Sequence, residues 1–199
     1  MKAYTTKELK AILKLHQKWL NNEVDGTRAN LTRANLTRAD LTRADLTRAN
    51  LAGANLTGAI LCGVDLTRAT LYGVDLTDAN LTRAILTDAN LTRANLTRAN
   101  LTGATLSGAD LTGVGLADAD LTNLLGNMKH IKTVQTDKYL VTYTTRVLQI
   151  GCEKHSIEEW KNFDDETISE MDSGALEWWT QWKPIIMKII EMSPCEPTK

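Results

Sequence analysis

A β-solenoid, a fold of stacked parallel strands in repeating coils, is predicted by three observations. Nineteen leucines stand five residues apart from Leu31 to Leu121 without a substitution. Each has Ala or Val two places before it, from Ala29 to Ala119. The other three positions of the unit are mostly polar: most often Asn or Asp before the Leu, most often Thr after it, then Arg, Gly or Asp in all units but the last. A strand alternates every two residues and a helix turns about every 3.6, so a strict period of five belongs to neither and marks an internal repeat.

Typical units are Ala29-Asn30-Leu31-Thr32-Arg33 and Ala94-Asn95-Leu96-Thr97-Arg98. A chain that turns a corner after each unit places four units in one coil, with Leu at the middle of each side and the small residue beside it, both inward. Ala or Val suits a narrow axis already filled by four Leu. On these residues the segment 27–125 resembles the pentapeptide-repeat family, whose pattern is A(N/D)LXX. The resemblance implies a right-handed quadrilateral parallel β-helix, and it implies no single function, because one fold carries many roles. At about 4.8 Å between stacked strands, nineteen units make a rod only about 23 Å long. Each coil buries its apolar layer against its neighbours, so both ends require covers.

Residues 1–26 are read as the first cover. Thr5 and Glu8 form a capping-box pattern, and Leu9, Ile12, Leu13, His16 and Leu20 recur at helical steps, with Trp19 extending that face. His16 on this stripe is read as a packed residue rather than a chemical group. Residues 126–199 are read as a small α+β tail that caps the rod or joins two copies. The repeat rule fails at Leu124 and Gly126, and Ile131–Val134, Tyr139–Thr144 and Val147–Ile150 then alternate like strands, with a turn near Thr136-Asp137. Ser156 and Glu159 form a second capping box opening a short helix through Trp160, and Asp164 or Asp165 opens another. The last helix starts near Asp172-Ser173, presents Trp178, Trp179 and Trp182 on one broad face, and contains Pro184, which is expected to kink it. Those three tryptophans form the candidate oligomer interface, with a homodimer as the expected assembly. The stretch from Ile150 to Trp160 and the stretch Ala175-Leu176-Glu177-Trp178-Trp179 resemble tails of phage- or prophage-encoded proteins of unassigned role.

Composition narrows the functional classes. The chain has 199 residues, 43% of them hydrophobic, and a net charge of −1, so no strong global field is implied. Five lysines interrupt the first nineteen residues, which read as neither a signal peptide nor a membrane span. Cys62, Cys152 and Cys195 are odd in number and widely spaced, which points to reduced thiols and a cytoplasmic location. No cofactor is expected, since neither a phosphate-binding glycine loop nor a dinucleotide fingerprint occurs. Cys152 and His155 invite a nucleophile or metal hypothesis, but they supply at most two ligands and lack a surrounding signature, so no catalytic or metal site is assigned.

The rod surface is the better candidate. Residues twenty apart stack, so Arg28, Arg48 and Arg68 form a column proposed as an anion or partner surface. The array balances nine Arg against nine Asp, without Lys or Glu. Some pentapeptide-repeat proteins imitate DNA and modulate gyrase or topoisomerase through an extended acidic face, which this array does not carry. Tyr72 is its sole aromatic residue, so nucleic-acid binding is not expected either. The resulting expectation is a non-enzymatic interaction or structural protein with an unidentified protein partner, with a DNA-mimicking gyrase modulator as the alternative.

Overall fold

The computed structural model describes residues 1–198. From residue 30 to residue 125 the backbone pairs with itself in parallel at a constant separation of twenty, from Asn30↔Asn50 to Thr105↔Leu125. Four five-residue units therefore make one coil. The Asn50↔Thr70 rung illustrates the bonding: Leu51 N donates to Thr70 O at 2.8 Å, and Thr70 N donates to Ala49 O at 2.9 Å.

Local chemistry sets the corners. After each Leu the chain turns through two residues and closes with a bond such as Ala54 N to Leu51 O, 3.0 Å. The residue just before each closing amide has positive φ, from 52° at Asn123 to 73° at Gly113. That is where a type II turn requires it. Glycine occupies this region without steric cost, whereas Arg and Asp occupy it at about 1 kcal/mol or more each, which the ladder offsets. The Asn or Asp before each Leu also has a local task. Asp75 Oδ1 accepts from Thr77 N at 3.0 Å and from Thr77 Oγ1 at 2.6 Å. The side chain thus stands in for a backbone acceptor in an Asx turn, and the same contact recurs at Asn30, Asp40, Asn80 and Asn95. Leucines fill the axis: Leu46 to Leu111 are all buried, joined by the small residues beside them.

Both ends are closed by side chains that replace a missing coil. At the N-terminal end β1 (Lys2–Ala3) pairs in parallel with β2 (Ala34–Asn35), where a preceding coil would have run. Helix α1 (Thr6–Leu20) lays Leu9, Ile12, Leu13 and His16 against the first coil, and both bonds of its Thr5/Glu8 capping box form. Ala29 N, which in later repeats would bond three residues back, donates instead to His16 Nδ1 at 3.1 Å.

At the other end the replacements come from the tail. Gln149 Oε1 accepts from Leu121 N at 3.0 Å, and Lys154 Nζ donates to Ala119 O at 3.0 Å. Thr133 Oγ1 accepts from Gly126 N at 3.1 Å and donates to Leu124 O at 2.9 Å. Asn127 Nδ2 donates to Ala109 O at 3.0 Å. Ile131, expected to open a strand, lies just before one and is fully buried in the rod's core.

The tail is a four-stranded antiparallel sheet in sequential order: β3 (Lys132–Gln135), β4 (Leu140–Tyr143), β5 (Val147–Ile150) and β6 (Glu153–Ser156). The fourth strand, Glu-Lys-His-Ser, has no apolar alternation and was not expected. Helices α2 (Ile157–Asn162), α3 (Asp165–Met171) and α4 (Ala175–Met192) follow. Ser156 and Asp164 cap the first two as their side-chain chemistry predicts. Helix α4 runs as one helix through Pro184. A second apolar core, distinct from the rod's, joins the sheet to the helices through Tyr143, Leu148, Trp160, Ile168 and Ile186.

The cap histidines make stability depend on pH. His16 is fully buried and His130 nearly so. Burial pushes both below the ordinary histidine value of 6.5; at His16 the Thr47 carbonyl pulls the other way, and at His130 nearby Lys129 adds to the lowering. A depressed histidine contributes stability that is fully present above its unfolded value and lost as pH falls toward the folded one. The melting temperature is therefore expected to drop between pH 7 and pH 5, above the range where ordinary carboxylates titrate. His16→Asn, which keeps an acceptor for Ala29 N, should flatten part of that slope. An unchanged slope would show that His16 is not neutral in the folded protein.

Candidate interaction surfaces

The array fixes where each outward side chain stands, since every corner residue lies above the one twenty earlier. Arg28, Arg48 and Arg68 stack as expected, but each is already engaged. Arg28 Nε donates to the Arg48 carbonyl, and Arg28 lacks the left-handed backbone of later corners. The Arg48 guanidinium lies 5.3 Å from the Trp19 ring centre, on a tryptophan that stacks on His16 at 5.5 Å. Arg68 meets Asp88 at 3.4 Å. On the opposite column, Arg98 grips Asp78 with two bonds of 2.6 and 2.7 Å, which lowers the Asp78 pKa and raises that of Arg98. Asp78 and Asp88, on opposite columns of the four-sided coil, thus each face an arginine one coil away.

A broader feature emerges along the rod axis. Residues 1–48 carry ten basic and five acidic side chains, whereas residues 49–199 carry thirteen basic and nineteen acidic ones. On α1, Lys7, Lys10, Lys14 and Lys18 fall on the face opposite the buried Leu9–His16 stripe. Lys7, Lys10 and Lys14 are exposed, and Lys18 approaches Asp25 at 3.8 Å. Arg33, Arg38 and Arg43 ring the first coil, their aliphatic stems lying where a side-chain carbon at Gly53, Gly58 or Gly63 in the next coil would touch them. The N-terminal end is thus the basic end. Conversely, Glu153–Glu177 holds nine acidic and two basic residues.

The tryptophan face requires a correction. Trp178 and Trp179 are buried inside the tail, and Trp182 is half-buried beside them. Trp178 donates its indole N–H to Asp137 at 2.9 Å and meets Tyr139 edge-on at 4.8 Å, while Trp179 packs on Trp160 at 4.9 Å. These rings face their own sheet and helices, which removes the apolar surface on which a twofold pairing through Trp178, Trp179 and Trp182 was expected.

Cys152 and His155 are not brought into a nucleophilic pair. The exposed Cys152 thiol points to Glu153 Oε1 at 3.8 Å, whereas His155 Nε2 lies 3.5 Å from Glu153 Oε2, with its ring edge-on to Trp160 and Phe163. Among the described residues no cluster of three or more His, Cys, Asp or Glu is arranged to hold a metal, and no helix is long and apolar enough to cross a membrane. One feature that sequence reasoning missed is an apolar cavity of about 220 Å³ in the tail, which includes Tyr139, Trp160, Trp178 and Trp179 in its walls. The individual aromatic residues were visible; their convergence from two helices and a turn was not.

The family model for pentapeptide repeats matches in eight copies over residues 22–48, 49–88 and 89–123, just over half the chain. Among solved structures, a pentapeptide repeat protein from the Arabidopsis thaliana thylakoid lumen is 36% identical, covering 48% of this chain and 67% of its own, with a TM-score of 0.42. Rfr23, a pentapeptide repeat protein from the cyanobacterium Cyanothece 51142, is 34% identical over 56% of this chain and 92% of its own, with a TM-score of 0.34. QnrB1, a plasmid-mediated fluoroquinolone resistance protein, is 18% identical over 50% and 74%, with a TM-score of 0.26. No curated protein matches. Pentapeptide-repeat proteins form right-handed β-helices and are in general structural or interaction proteins rather than enzymes. With its twenty-residue rungs and its A(N/D)LXX units, the chain belongs to the pentapeptide-repeat family.

Proposed function

We propose that this chain is a non-enzymatic interaction protein, a rigid right-handed quadrilateral β-helix that docks through its basic N-terminal end on an acidic protein surface. The observation that carries the reading is the axial separation of charge, with the exposed lysines of α1 and the first-coil arginines at one end and the acidic Glu153–Glu177 segment in the tail. Rigidity supports it as well, because each coil is held by a continuous ladder and both ends are bonded shut. A rod that barely deforms loses little conformational entropy on binding. The Arg28, Arg48 and Arg68 column belongs to the same end, where it supplies positive potential around bonds already made. Free Cys62, Cys152 and Cys195 fit a reducing, cytoplasmic setting.

The test is retention of partners from a lysate of the source cells by the intact chain and by a Lys7→Glu/Lys10→Glu/Lys14→Glu variant, at about 0.05 and 0.5 M salt. A salt-sensitive protein set lost by the variant is the expected result, since exposed charges act within about 10 Å at 0.1 M salt. Identical sets would refute it. The gyrase-modulating alternative needs an acidic face, yet Asp78 and Asp88 are each met by an arginine. Supercoiling by gyrase should therefore be unchanged at micromolar protein, with or without a quinolone.

A further inference from the structure

We propose that the cavity in the tail is a binding site for a small organic cation carrying an aromatic ring. Small-molecule sites are concave and mostly apolar, with a few convergent polar groups that select the ligand. The tail holds such a space, about 220 Å³, partly open to solvent and walled mainly by apolar and aromatic side chains. For comparison, an engineered cavity of about 150 Å³ accepts benzene. The space fits one ring with a short substituent.

The chemistry of the walls selects the ligand. Tyr139 from the β3–β4 turn, Trp160 from α2, and Trp178 and Trp179 from α4 bring four aromatic rings to one space, and such rings attract cations through their negative faces. Two of them already do so outside it: Lys138 Nζ lies 4.8 Å from the Tyr139 ring centre, and Lys183 Nζ lies 5.7 Å from that of Trp179. The charged residues lining the cavity are Glu153 and Asp172, both acidic. Asp172 is engaged by Lys138 at 3.3 Å and by the Tyr139 hydroxyl. Glu153 is the less committed carboxylate, with His155 at 3.5 Å and the weak Cys152 thiol at 3.8 Å. An anionic ligand would meet carboxylates and ring faces alike; a cation meets both favourably. This inference is independent of the docking role given to the opposite end of the rod.

The experiment uses the full chain and three soluble probes of similar size: 2-phenylethylammonium, 2-phenylethanol and phenylacetate. Tryptophan fluorescence reports occupancy, since three of the five tryptophans line the space. Alkylation of Cys152 by iodoacetamide, followed by mass spectrometry, reports it independently, because this exposed thiol also lines the cavity. Saturable binding of the ammonium is expected, about tenfold tighter than the alcohol, with phenylacetate weakest and Cys152 protected by the cation. Glu153→Gln, a conservative change at a half-exposed position, should bring ammonium and alcohol to similar affinity. Ile168→Trp, which fills the space, should abolish binding of all three. The proposal is overturned if the ammonium gives neither a saturable fluorescence change nor protection of Cys152 up to about 10 mM, a range in which a fragment of this size must register. It is equally overturned if the alcohol or phenylacetate binds as tightly as the cation, or if Glu153→Gln leaves the preference unchanged.

Discussion

Replacing Leu76 by Asp is expected to unfold the array. Leu76 is fully buried on the axis, packed among leucines one coil above and below, so a carboxylate there would have neither water nor a partner. Burying an unpaired charge costs several kcal/mol, a large part of the total stability of an ordinary domain. Because each coil supports only its neighbours, the defect sits where loss of one layer exposes two others. Thr87→Ala, half-buried on a corner, should stay within about 0.5 kcal/mol. Thermal denaturation followed by circular dichroism decides between them. Similar melting temperatures for the two variants would overturn the inward assignment of Leu.

The second large effect is expected at the junction of rod and tail. Gly126 stands where the next leucine of the array is due, and a methyl group there would overlap the Ile131 carbonyl, which is backbone and cannot rotate away. The same carbonyl accepts from Met128 N at 3.0 Å, while Gly126 N reaches Thr133 Oγ1 at 3.1 Å. Gly126→Ala should therefore open the turn that seats Ile131 against the last coil, costing about 2–3 kcal/mol. Gly73→Ala is the informative comparison. Its φ of 61° carries the left-handed penalty, but an added methyl meets nothing within 4 Å; the cost should be about 1 kcal/mol. Tail melting read by tryptophan fluorescence should shift strongly for Gly126→Ala and little for Gly73→Ala. Equal shifts would show that backbone conformation, not the contact with Ile131, governs both sites.

The sequence by itself determined the array, its inward leucines, its corner positions and the capping residues of α1, α2 and α3. All of these are local: a period of five forces one geometry on every unit, and Thr5, Ser156 and Asp164 bond within three residues of themselves. What closes the rod lay beyond it. Gln149 and Lys154 reach bonds on Leu121 and Ala119 across 28 and 35 residues, and nothing in their neighbourhood marks a polar side chain as the substitute for a missing coil. The fourth tail strand was hidden for a related reason, since Glu153–Ser156 is polar throughout and holds its place by pairing with β5 rather than by apolar alternation. The tryptophans of α4 were legible as an apolar face but not as to what covers it. Only the tertiary structure turned Trp178 and Trp179 onto Tyr139 and Trp160, removing the expected interface and leaving a cavity instead. Periodicity fixes which side chains point inward; which distant groups meet them depends on how separate elements pack, and that information is spread over the whole chain.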